Sequence, residues 1–350
     1  MNKKIFFVTL SILGIILCAI LGGRYLLNWK KTNLNNNTSK SLNLNKGIYI
    51  LSSGDTVYYL PNEKSTTVKK YKVEGALDMR KVSNNKVYVP ICYGDHKEEI
   101  AMFHNGKFNK YIKLSYDLPL LVRYNKYNNK AYITHKTKVT KQKENCITVI
   151  NTLLDKEENT IMYNNHVEDI TFTTNNSMVV SSYSLKEKAH KLDIFNLKTN
   201  SIIKTIPTPV KFSSIKCGKN NLIYAVNRKS KDNILYVIDL NKGKVINKIK
   251  LPHEYPYKVF IKEKAKKEYI YVLHQDFDSL KGKGISVIDS SSDKIIAEFL
   301  QIECPEDIDI YEEKMIVSNW RDGKIYIINN NKICNEIQIN KPLSVVINGE

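Results

Sequence analysis

Residues 256–300 read PYKVFIKEKAKKEYIYVLHQDFDSLKGKGISVIDSSSDKIIAEFL, and residues 305–339 return to the same four-part phrase. In the first copy the parts are 256–262, 269–273, 285–290 and 295–300; in the second they are 305–311, 315–320, 324–329 and 335–339. Each is short, rich in Val, Ile and Tyr, and bounded by Gly, Asn, Asp or Ser, the pattern of strands between turns. Four such strands recurring about every 45 residues predict the blade of a β-propeller.

The phrase extends back along the chain. A fifth blade is expected at 210–216, 222–227, 234–240 and 245–251, and a fourth at 168–172, 178–183, 192–196 and 202–206. The third reads 120–124, 131–135, 147–151 and 160–163, the second 76–81, 86–93, 100–104 and 110–114. The first copy (48–52, 56–60, 66–73) lacks an inner strand, while 342–348 is an inner strand with no continuation. Pairing 343–347 beside 48–52 would complete that blade and remove two exposed sheet edges. Pro119, Pro209, Pro256, Pro305 and Pro342 each stand just before a proposed inner strand, where a residue without an N–H donor is tolerated. Asp239 and Asp289 fall in turns between third and fourth strands, where they can accept backbone hydrogen bonds. The expected fold is an all-β, seven-bladed propeller of four-stranded blades over 47–350, closed by pairing of the C-terminal strand with the N-terminal blade.

Ahead of it, residues 5–23 carry no charge and follow Lys3 and Lys4. That run is long enough to cross a bilayer core, and Cys18-Ala19-Ile20-Leu21 offers no small-residue cleavage pattern. We therefore expect an uncleaved transmembrane helix within 1–31, a polar linker over 32–46, and a propeller outside the cytoplasm of a bacterial cell.

The formal net charge is +19, yet only five of the 54 basic residues are Arg. Recognition of bases and phosphates favours the forked guanidinium, and the Lys residues are spread along the chain, so nucleic acid is not the expected partner. A basic exterior attracts anionic lipid heads or wall polymers instead, and the expected partners are the membrane, through the N-terminal helix, and a protein or anionic cell-envelope component. Cys92, Cys146, Cys217, Cys304 and Cys334 are widely spaced with no C-x-x-C pair, so neither a zinc knuckle nor a dense disulfide framework is expected. No phosphate-loop, nucleophile-elbow or zinc-protease motif occurs, and no cofactor is expected.

Blades five to seven resemble the YVTN-type seven-bladed β-propellers, a family that includes surface-layer and lactonase-like proteins. The matching residues are Ile234-Leu-Tyr-Val-Ile-Asp239 with Gly243-Lys-Val-Ile246, and Gly284-Ile-Ser-Val-Ile-Asp289 with Lys294-Ile-Ile-Ala297. Pro305-Glu-Asp-Ile308 and Val317-Ser-Asn319 match the start of the inner strand and the signature tetrapeptide. The resemblance implies a membrane- or surface-associated binding platform, with enzymes a minority; these are fold motifs and carry no catalytic residue.

Candidate chemistry collects on one rim, where the connections between successive blades and those between second and third strands meet. His96, His135, His166, His190, His253 and His274 fall there, and only His104 falls at the opposite turn. Acids accompany them: Asp55, Asp95, Glu168, Asp169, Glu254, Asp276, Asp278 and Asp307. Asn319-Trp320-Arg321-Asp322 adds an aromatic face and is read as the one Arg on this rim. Converging His and carboxylates would suit a divalent metal, or general-base hydrolysis with Arg321 stabilising an oxyanion. A rim of loops collects polar residues whatever its role. The leading expectation is a monomeric, membrane-anchored, non-catalytic binding or scaffold module; a lactonase-like hydrolase or a metal-binding protein is the alternative. The lysines of loops 136–145 and 275–284 offer a surface to an anionic partner.

Overall fold

The Val/Ile/Tyr-rich segments become strands that are buried on both faces in the middle of each blade and exposed at its outer edge. Gly47–Ser52 and Lys314–Asn319 are buried at every residue, whereas Lys107–Lys113 is exposed at most. That gradient follows from sheets stacked face to face around an axis. In the computed structural model, which describes residues 46–348 except 84, 137–144, 229–231, 277–278 and 280–281, the strands form seven antiparallel four-stranded sheets.

Strands are named a to d from the axis outward. Blade two is Arg80–Ser83, Lys86–Pro90, Glu99–His104 and Lys107–Lys113; blade three is Pro119–Asn125, Lys130–His135, Cys146–Asn151 and Lys156–Met162. Blade four is His166–Phe172, Ser177–Ser184, Ala189–Asn196 and Ser201–Pro207; blade five is Ser214–Cys217, Leu222–Val226, Ile234–Asp239 and Lys244–Lys250. Blade six is Pro256–Lys264, Lys267–His274, Lys283–Asp289 and Lys294–Glu303; blade seven is Asp307–Tyr311, Lys314–Asn319, Lys324–Asn329 and Lys332–Gln338.

Blade one is built from both ends of this domain. Pro342–Asn348 is its a strand and pairs with Gly47–Ser52 in the register Ile48↔Ile347, Ile50↔Val345, followed by Thr56–Leu60 and Lys69–Lys72. Pro119, Pro256 and Pro342 are the first residues of their inner strands, as expected. Three inner strands start later than the sequence suggests, that of blade seven by two residues and two others by four. Blade two keeps only an isolated Ala76↔Ile91 bridge before Arg80, and blade five begins at Ser214, beyond the donor-poor Pro207-Thr-Pro209.

Seven apolar clusters hold the ring, one at each interface between neighbouring blades. Ile48 and Ile50 of blade one pack with Ile316, Ile325 and Ile327 of blade seven, so the closing interface has the same chemistry as the others. Each fully buried aliphatic side chain contributes about 1.5–3 kcal/mol. Six of the seven c–d ladders carry a register shift, for example at Val149/Ile150, Val237/Ile238 and Ile327/Ile328. Such bulges increase local twist, which lets the outer strand swing away from the axis. Asp239 Oδ1 accepts the N–H groups of Asn241 and Lys242, and Asp289 Oδ1 that of Ser291, so the turn acids are structural.

The expected anchor and most of the linker lie outside the described residues. Among those described, no helix is long and apolar enough to cross a membrane.

Candidate functional site at the channel mouth

The inner strands share a triplet with an apolar centre and at least one polar flank: Asp78-Met-Arg80, Leu121-Val-Arg123, Asp169-Ile-Thr171, Ser214-Ile-Lys216, Lys258-Val-Phe260, Asp307-Ile-Asp309 and Ser344-Val-Val346. Residues two apart on a strand share a face, so the outer members of each triplet turn toward the channel and the next inner strand. Neighbouring inner strands are not joined by a ladder, and side chains bridge them instead. Asp78 Oδ2 accepts Val122 N–H (3.0 Å), Asp169 Oδ2 accepts Ile215 N–H (2.9 Å), and Ser214 Oγ accepts Val259 N–H (3.2 Å). Thr171 Oγ1 accepts Cys217 N–H at 3.0 Å, and Asp309 Oδ2 accepts Ile347 N–H at 2.7 Å.

The cations of the same triplets complete a belt of charge. Arg80 pairs with Asp307 (2.7 Å) and Asp78 (3.2 Å), and Arg123 with Asp78 (2.9 Å) and Asp169 (2.6 Å). Lys216 lies 3.6 Å from Asp169, and Lys258 lies 3.9 Å from Asp307 and donates to the Glu306 carbonyl at 2.8 Å. Burial pushes the Asp169 carboxyl up, but the Arg123 guanidinium and the Lys216 ammonium outweigh it and hold the group at about 2. For Lys216 burial wins over Asp169, and its ammonium is pulled down to about 8. The side chain keeps 28 % of its surface open to the channel, which limits that penalty.

Above the belt is a cavity of about 330 Å³, walled by Arg80, Arg123, Lys216, Lys258, the rim residue Arg228, and the starts of the inner strands of blades three to six. Glu168, Asp169 and His166 also line it, with Leu120, Leu121, Tyr257 and Phe260 as apolar surface. Glu168 pairs with Lys211 and, at 3.1 Å, with His166, and these partners hold its carboxyl low against the opposing effect of burial.

Of the candidate rim residues, His166, Glu168 and Asp169 share this cavity, and His253 meets His274 edge to face with ring centroids 5.5 Å apart, but the set as a whole does not converge. Asp169 and Asp307 are buried inter-blade ties, which corrects their reading as rim ligands: Asp169 takes Arg123 and the Ile170 and Ile215 N–H groups, and Asp307 Oδ2 takes Arg80, the Ser344 hydroxyl and the Val345 N–H. His274 is buried at the end of the blade six b strand, its Nδ1 at 3.1 Å from the Glu254 carbonyl and Nε2 at 2.9 Å from Ser286 Oγ. His135 repeats this in blade three, with the Asp117 carbonyl (2.7 Å) and Thr148 Oγ1 (2.9 Å). A carbonyl only accepts, so Nδ1 carries the proton and Nε2 accepts from the hydroxyl. Burial pulls both imidazoles down, His274 to about 4. These are neutral structural histidines.

The others are dispersed. His96 stacks on Tyr111 and pairs with Glu99; His253 lies 3.4 Å from Glu298; His190 packs on Tyr183. Asp95 and Glu254 are exposed, and Asp276 accepts Ser279 N–H. Trp320 lies under the Lys341 ammonium, and Arg321 pairs with Glu303 at 3.1 Å, away from the cavity walls. Arg228 shows that Arg321 does not stand alone on this rim. Among the described residues no three His, Cys, Asp or Glu side chains come together as a metal site. Asp278 and most of the two lysine-bearing loops lie outside the described residues.

Arg80, Arg123, Lys216 and Lys258 were not singled out from the sequence. Aligning the seven inner-strand triplets is the signal that finds them.

No family model matches the chain, and no curated protein matches it. Solved structures similar to it include hydrazine synthase of Kuenenia stuttgartiensis (TM-score 0.60, 13% identity, covering 80% of this chain and 90% of that one). Dihydro-heme d1 dehydrogenase NirN in complex with DHE is similar at TM-score 0.59 and 11% identity, covering 87% and 75%. A protein from Lactobacillus plantarum is similar at TM-score 0.62 and 11% identity, covering 86% and 99%. At such identities the likeness is one of fold.

Proposed function

We propose that the chain is a membrane-anchored, extracytoplasmic propeller of the YVTN type that binds an anionic protein or cell-envelope component without catalysis, as a monomer. One observation carries this reading: the mouth of the channel is walled by five cations, Arg80, Arg123, Lys216, Arg228 and Lys258. An anion meeting that wall is attracted over a distance set by ionic strength. The alternative of hydrolysis rests on one pair in the cavity, His166 and Glu168, since His135 and His274 are neutral with both ring nitrogens engaged and Glu168 is also taken by Lys211. The uncharged run at 5–23 supports the anchor, and the repeats quoted above support the family.

The test has two parts. Protease added to intact protoplasts should degrade the propeller; full protection would refute the exterior placement. Immobilised propeller should retain anionic wall polymer over neutral glycan, with retention falling as salt is raised from about 0.05 to 0.5 M. Equal retention of both polymers would refute the anionic partner.

A further inference from the structure

The mouth cavity has features that a flat docking surface does not need. Its volume of about 330 Å³ is at the lower end for small-molecule sites. Its five cations face three carboxylates, Asp78, Asp169 and Asp307, that belong to the inter-blade belt. The remaining acids have cations of their own: Lys211 pairs with Glu168, and Lys258 lies 3.4 Å from Glu306. Positive charge is therefore in surplus where water is partly excluded and electrostatic attraction is strongest. Among the described residues the belt leaves donors over: Arg123 engages Asp78, Asp169 and the Val122 carbonyl through Nη1 and Nε, and Lys216 donates to the Ile215 carbonyl at 3.1 Å beside Asp169 at 3.6 Å. Forked guanidinium groups match the paired oxygens of carboxylate and phosphate. Leu120, Leu121 and Phe260 give the same cavity an apolar wall, which suits a carbon body more than a bare inorganic ion.

We infer that this cavity is a binding site for a small organic dianion, a short dicarboxylate or a phosphate monoester, held by Arg80, Arg123, Arg228 and Lys216. The inference rests on reading the mouth as an anion-binding surface, and it deepens that reading by naming a discrete small ligand. Lys216 gives it a distinctive signature. Its ammonium, pulled down by burial and by Arg123 and Arg80 against Asp169, titrates near pH 8 in the free protein. Lys258, Tyr257, Arg228, Glu168 and His166 share the cavity above it. On the opposite side Glu263, Glu268, Lys126 and Lys219 line a second cavity, of about 540 Å³, that Lys216 also borders. A dianion bound beside Lys216 would favour its charged form, so binding takes up a proton and weakens as pH rises through about 8.

The experiment is isothermal titration of the purified propeller with succinate, glycerol phosphate and inorganic phosphate, with succinamide as the neutral control. Saturable binding of succinate or glycerol phosphate, with weaker binding of inorganic phosphate and none of succinamide, is expected; the stronger of the first two identifies the class. Arg228→Gln, at an exposed position that leaves the belt intact, should weaken binding about tenfold, the size of one lost charge-assisted contact. Lys216→Arg, whose charge is fixed over this range, should lose the dependence of binding on pH between 7 and 9. Absence of saturable binding by either organic dianion, or equal binding of succinamide, overturns the inference. If anionic wall polymer is still retained in that case, the dianion site alone has failed. If the dianions bind and no polymer is retained, only the macromolecular reading has failed.

Discussion

His274 and Asp169 were both read as rim ligands, and both are structural, for different reasons. The imidazole of His274 takes its proton near the ordinary value of 6.5 in the unfolded chain but only at about 4 in the fold, because burial disfavours the charged form. The unfolded state thus binds more protons between those pH values, and stability falls by about 3 kcal/mol as pH drops through the window. Urea melts of wild type and His274→Gln at pH 7, 5.5 and 4 should show the wild type losing more stability on acidification; equal losses would contradict the buried neutral imidazole. Asp169 also loses stability on acidification, but for the opposite reason: its charged form is favoured in the fold. Its folded-state carboxyl is held near 2, below the ordinary 3.8, so its contribution is complete above about pH 4 and is lost as pH falls toward 2. Asp169→Asn leaves Arg123 and Lys216 short of a counter-charge in a buried belt, a change that costs about 3–5 kcal/mol at pH 7. That gap from wild type should narrow in melts at pH 2.

At the scale of the strand, the decisive element is Pro342–Asn348. It covers the edge of Gly47–Ser52, whose six residues are all buried, and ties back to blade seven through the Ile347 N–H, held by Asp309. Val345, Val346 and Ile347 are each 1–3 % exposed, so losing them removes several kcal/mol of apolar burial. Truncation after Lys341 should abolish cooperative melting by circular dichroism, since whole domains are stable by only about 5–15 kcal/mol. Asp309→Ala removes the tie, and with it the acceptor of the neighbouring Ile310 N–H, and should cost about 1–3 kcal/mol. A truncated chain that melts like wild type would show that the ring is not closed here.

At the scale of the whole molecule, stability is spread over seven equivalent apolar interfaces and does not depend on covalent bridges. None of Cys92, Cys146, Cys217, Cys304 and Cys334 is in a disulfide. Burial pushes the thiols of Cys92, Cys146 and Cys217 up, to about 11, 12 and 12, which keeps them unreactive at neutral pH. Dithiothreitol should leave the melting temperature of the propeller unchanged, and iodoacetamide on the native domain should label Cys334, the exposed one, first. Rapid labelling of Cys146 in mass spectra would contradict this packing.

The blade count, the four strands of each blade, the turn acids and the closing strand were legible in the sequence, because each follows from period and local turn chemistry. The segments at 343–347 and 48–52 announced their pairing by what each lacked. The belt was not legible. Arg123 meets Asp78 and Asp169 only because the ring brings three inner strands, about 45 residues apart in sequence, to one axis. The same closure placed Asp169 and Asp307 in the channel wall and spread the histidines over several blades, leaving only His253 and His274 in ring contact with one another among the described residues. Local patterning therefore determined the architecture by itself. Which charges share a cavity was decided by the tertiary structure, since electrostatic contact depends on distance through space and the sequence records only distance along the chain.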